Sequence, residues 1–131
     1  MGLDMYLDGE KYLLTDFRNP QNPPREDGYR LKTKTVELGY WRKHPNLHGY
    51  IVNAFANGTD NCEAIVLEAS DIENIIDAVA RDSLPHTEGF FFGASDGTEK
   101  ENDLKVLRAA LKWLRTEDHS VFRTVRYRAS W

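Results

Sequence analysis

The chain has 131 residues, 40% hydrophobic and 29% charged, with 21 acidic against 17 basic side chains and a formal net charge of -4. That length and balance predict one globular domain over residues 1–131, able to fold without disulfides or structural metal, and exclude a disordered chain. The acid excess argues against nonspecific nucleic-acid binding, which needs a basic face, although Arg115, Arg123, Arg126 and Arg128 make the C-terminal segment locally basic. The single cysteine, Cys62, excludes an internal disulfide and a cysteine metal cluster.

Met1 to Met5 has neither a basic nor an apolar targeting region, and no apolar run approaches the ~20 residues a membrane helix needs. A reducing cytosol is therefore the expected location, with no membrane partner.

Leu3 to Leu7 alternates and reads as a strand with Leu3, Met5 and Leu7 on one face. The short apolar run Tyr12-Leu13-Leu14 is expected to pair back on it through a turn at Asp8-Gly9. Residues 18–30 contain Pro20, Pro23 and Pro24 and read as a loop, because proline removes backbone donors. Leu31 to Trp41 alternates again as a strand, with Thr33, Thr35, Glu37 and Gly39 interleaving Lys34, Val36, Leu38 and Tyr40. A helix is predicted to open at His44-Pro45, carry Leu47, Tyr50, Ile51, Ala54 and Phe55, and stop at Asn57-Gly58.

Glu63 to Glu68 reads as a short strand, and Ser70-Asp71-Ile72-Glu73 as a capping box opening a helix with Ile72, Ile75, Ile76 and Val79 on one stripe. Thr98 to Glu101 repeats the capping pattern before a helix carrying Leu104, Leu107, Leu111 and Leu114. Val121 to Arg128 closes as a strand. Helices and strands do not alternate regularly, so the predicted fold is α+β, a mostly antiparallel sheet packed against about three helices.

The densest run of chemistry-bearing side chains is Tyr40-Trp41-Arg42-Lys43-His44-Pro45-Asn46-Leu47-His48, at a strand-to-helix junction. Free N–H groups at a helix start attract anions. Arg42 adds a planar fork and Lys43 a point charge, while Tyr40 or Trp41 offers a ring for stacking. This pattern points to a small anionic ligand, of nucleotide type, held by Tyr40, Trp41, Arg42, Lys43, Asn46 and His48, with Glu88 as a further polar contact. It requires the Trp-Arg-Lys tip and the histidine turn to converge on one water-accessible hollow. Ordinary packing of the aromatic rings and solvation of the Arg-Lys pair is the competing explanation.

His44 and His48 stand four apart and could begin a zinc site with Asp60, Glu63 or Glu88, but Pro45 occupies the place where a metalloprotease motif needs Glu. No metal or cofactor is therefore assigned. His44, His48 and Cys62 are the candidates for catalysis, two as general bases and one as nucleophile. Ser95, His86 and Asp96 lack a nucleophile-elbow context. Gly89-Phe90-Phe91-Phe92-Gly93 reads as a buried strand or, alternatively, a pocket wall.

Five blocks together resemble a family of small proteins of phages, prophages and bacterial genomes: Met1 to Leu7, Tyr40 to His48, Asn61-Cys62-Glu63, Gly89 to Gly93 and Ala129-Ser130-Trp131. Some members carry the label phosphoglycerate kinase, for which this chain is too short. The resemblance implies a phage accessory protein in the host cytosol, a class whose members often counter host defence, some by sequestering nucleotide signals. Three functions follow as expectations: capture of a nucleotide-derived anion, a hydrolase or transferase using a histidine base, or a module that blocks a host protein through an acidic or aromatic face. Self-association is compatible with each.

Overall fold

Leu3, Met5 and Leu7 are sealed from solvent in the computed structural model, which describes residues 3–13, 24–42, 44–58, 63–85, 100–118 and 121–130. Met5 and Leu7 belong to β1 (Asp4–Leu13), which Leu3 immediately precedes, and β1 is followed by β2 (Arg25–Glu26), β3 (Tyr29–Arg30), β4 (Thr33–Arg42), α1 (Pro45–Phe55), β5 (Ile65–Leu67), α2 (Ala69–Ala80), α3 (Lys100–Leu114) and β6 (Val121–Ser130). The main sheet has the order β4-β1-β6-β5 and every pairing is antiparallel. β2 and β3 form a separate hairpin. The fold is α+β, with helices on the inner face of the sheet.

Alternation places Met5, Leu7 and Gly9 of β1 beside Ala129, Tyr127 and Val125 of β6 on that inner face. α3 packs across β4 and β6, α2 lies against α3 and β5, and α1 against α2. Leu47 and Ile51 of α1, Ile72 and Ile75 of α2, and Leu107 of α3 complete one core. No described helix is long and apolar enough to cross a membrane.

Four local expectations are corrected. Tyr12-Leu13 does not fold back on the first strand: β1 runs unbroken through Asp8-Gly9, paired on both sides. The apparent turn glycine is there for space, since a Cβ on Gly9 would lie 2.7 Å from the Trp113 ring. In β4 strict alternation breaks at Leu38, which is skipped as Leu7 pairs with Gly39 and Asp8 with Glu37. This bulge turns Gly39 and Trp41 inward and Tyr40 and Arg42 outward. Part of the proline-rich stretch forms the β2–β3 hairpin, with Asp27 (φ 53) and Gly28 (φ 84) in the left-handed conformation that a tight Asp-Gly turn requires. Finally, α2 starts earlier than Ser70: the Glu68 N–H donates to the Asp71 carboxylate at 2.9 Å.

Other expectations hold. Pro45 opens α1 in the first-turn position that tolerates a missing N–H, and the helix ends before Asn57 and Gly58, both at positive φ. Thr98, Glu99 and Gly89 to Gly93 lie outside the described residues.

Candidate functional site

The inner end of β4, the start of α1 and the first turn of α3 meet on one carboxylate. Asp103 is 1% exposed. Its Oδ1 accepts the Trp41 indole N–H at 2.7 Å, and its Oδ2 lies 2.7 Å from His44 Nε2. His44 is 3% and Trp41 5% exposed. Hydrogen bonds in such a low-dielectric interior are strong, and a carboxylate in the first turn of a helix also interacts favourably with the helix dipole. One helix turn further along α1, His48 Nδ1 lies 2.5 Å from the Tyr127 hydroxyl of β6, again inside the core.

A carboxylate–imidazole pair is the orienting half of many acid–base constellations. Here, however, the His44 nitrogen nearest the carboxylate is engaged by it, and both side chains are sealed from solvent. What the pair demonstrably does is tie three elements together across 59 and 62 residues of sequence. The His48–Tyr127 contact does the same for α1 and β6. Tyr127→Phe removes a hydroxyl from a buried imidazole and is expected to cost about 1–3 kcal/mol, read as a lower urea midpoint at unchanged slope.

The residues expected to share a hollow are divided between two faces. Trp41, His44 and His48 point into the core, whereas Tyr40 and Arg42 lie on the opposite face of the sheet and Asn46 is half-buried on α1. The cause is the pleat, which sends consecutive strand residues to opposite sides. Lys43, Cys62 and Glu88 lie outside the described residues, as do Asp60, His86, Ser95 and Asp96. Among the described residues no three His, Cys, Asp or Glu side chains converge as a metal site.

The outer face is the second concentration of polar chemistry. The Tyr40 hydroxyl donates to Asp4 Oδ1 at 2.5 Å, and Arg42 lies 3.6 Å from the same carboxylate. That hydrogen bond, more than partial desolvation or the neighbouring negative charge, holds the Tyr40 phenol above its ordinary value of 10.0. Tyr6 and Tyr40 have ring centroids 5.2 Å apart, and the Arg128 guanidinium sits 4.1 Å over the Tyr6 ring while donating to Asp8 at 3.0 Å. Arg126 donates to the Tyr12 hydroxyl at 2.8 Å and lies 3.7 Å from Glu10. Phe122, 6.1 Å from Tyr12, is 59% exposed.

Tyr6 was not singled out by sequence, Asp8 only as a turn residue, and Arg126 and Arg128 only as part of a locally basic segment. Their signal was the polar half of the same alternation that marks the core in β1 and β6. A separate cavity of about 480 Å³ lies where α3 gives way to β6, lined by Leu114, Phe122 and Arg123 among others. Arg123 there stacks 4.9 Å over Trp113 and donates to its carbonyl at 2.8 Å.

No family model, no curated protein and no solved structure matches this chain.

Proposed function

We propose that the chain is a non-catalytic binding protein acting through the outer face of its sheet, and that the occupant is a protein surface rather than a small anion. One observation carries this: the outer face combines aromatic rings with arginines whose charges are already matched. Tyr and Arg are the residue types that dominate binding energy at protein interfaces. Arg42, Arg126 and Arg128 each lie within 4 Å of a carboxylate, Asp4, Glu10 or Asp8. A nucleotide-derived anion would have to displace those carboxylates, whereas a protein surface of mixed charge can extend the pairing. The resemblance to phage proteins supports an accessory role in the host cytosol.

Titration calorimetry against a nucleotide panel is expected to show no binding at micromolar concentrations. A photo-cross-linking residue at Tyr40 is expected to give a protein adduct that the same residue at Arg108, exposed on α3, does not. Micromolar nucleotide binding abolished by Arg42→Ala would restore the anion reading. Turnover of a nucleotide lost in His48→Ala, with folding retained, would replace both with the enzyme reading.

A further inference from the structure

Resting on that assignment of the outer face to protein docking, we infer that its occupant is a second copy of this chain, packed sheet to sheet about a twofold axis parallel to the strands. The two central strands are complementary on this face, cation against anion or ring and ring against ring. Directly opposite one another on the outer face stand Tyr6 and Arg128, Asp8 and Arg126, and Tyr12 and Phe122. A twofold axis in the interface plane, midway between β1 and β6, carries β1 of one copy over β6 of the other at the same height. Asp8 then faces Arg126 of the other copy, Tyr6 faces Arg128, and Tyr12 faces Phe122.

Every such contact occurs twice, because the interface is isologous. Charge complementarity is therefore built in by the in-register pairing of β1 with β6. Within one chain, Arg126 approaches Glu10 only to 3.7 Å. A facing Asp8, which is held by Arg128 of its own chain at 3.0 Å, would extend that pairing to a second arginine. Face-to-face sheets pack about 10 Å apart with strand directions within about 30°, which brings side chains of this length into contact. With β1 and β6 facing each other along their length and β4 facing only the three-residue β5, the shared footprint is about 400 Å² at the usual strand spacing. That is small for a specific interface, so the dimer is expected to dissociate in the micromolar range.

Sedimentation velocity from about 1 μM to about 1 mM should show a reversible monomer–dimer equilibrium. Asp8→Arg places like charges opposite each other at both symmetry-related positions, and so does Arg126→Asp. Each variant alone is expected to dimerise more than tenfold more weakly, on the order expected for apposed like charges. Mixed together, the two variants present opposite charges at both positions and are expected to form a heterodimer of near wild-type affinity. Should Arg126→Asp fail to fold by circular dichroism, Phe122→Glu, at an already exposed position, carries the test with the same expected weakening.

A chain that stays monomeric throughout, or a dimer indifferent to these substitutions, overturns the inference. In either case, a Tyr40 cross-link to a different protein leaves the docking reading intact. Absence of any such adduct removes both.

Discussion

Asp103→Ala is expected to lower the unfolding free energy by about 3–5 kcal/mol, the range for breaking a buried charged partnership while leaving its donors behind. The Trp41 indole N–H and the His44 ring nitrogen, each 2.7 Å from this carboxylate, would be left without their acceptor in a region closed to water. Asp103→Asn keeps the shape and one acceptor, and its amide can donate to His44 Nε2 if the imidazole carries its proton on the other nitrogen. A smaller loss of about 1–2 kcal/mol is therefore expected. Urea denaturation of both variants measures the difference. The Trp41→Phe background provides the control: with no indole N–H to orphan, Asp103→Ala should cost less there, and the difference is the coupling between the two side chains. A loss below about 1 kcal/mol for Asp103→Ala would show that water reaches the hub, and the view of it as a sealed tie would fall.

Gly39→Ala is the second large effect. A Cβ at this position would stand 2.4 Å from Val106 Cγ1 and 3.2 Å from the Trp41 ring, so either α3 lifts from β4 or Val106 is displaced. The cost lies in packing and not in backbone strain. Overpacking of this kind costs about 2–3 kcal/mol, equivalent to a fall of about 7–11 °C in Tm for a domain of this size. Val106→Ala supplies the missing space, so the double variant is expected to recover at least half of the loss. A Gly39→Ala protein that melts with the wild type would mean that α3 does not lie as closely on β4 as these distances state.

Both effects originate in contacts between segments far apart in the chain, which is why neither residue was prominent in the sequence. Asp103 looked like any acidic residue near a helix start, and Gly39 like the polar half of an alternation. By contrast, the residues whose roles depend on near neighbours were legible. Leu3, Met5 and Leu7 announced the inner face of β1, Pro45 the start of α1, Asn57-Gly58 its end, and Val121 to Arg128 the last strand. Backbone geometry and periodicity act over a few residues, so a few residues suffice to read them.

The candidate site divides along the same line. That Tyr40 to His48 carries a concentration of rings, cations and imidazoles is plain from the sequence alone. Which of those groups meet water is not. The bulge at Leu38 and the approach of α3 send Trp41, His44 and His48 inward to Asp103 and Tyr127, and leave Tyr40 and Arg42 on the outer face with Tyr6, Asp4 and Arg128. Local order along the chain determined the elements. The packing of α3 on the sheet, set by volume and by the need of each buried polar group for a partner, decided which side chains became structural ties and which formed a surface.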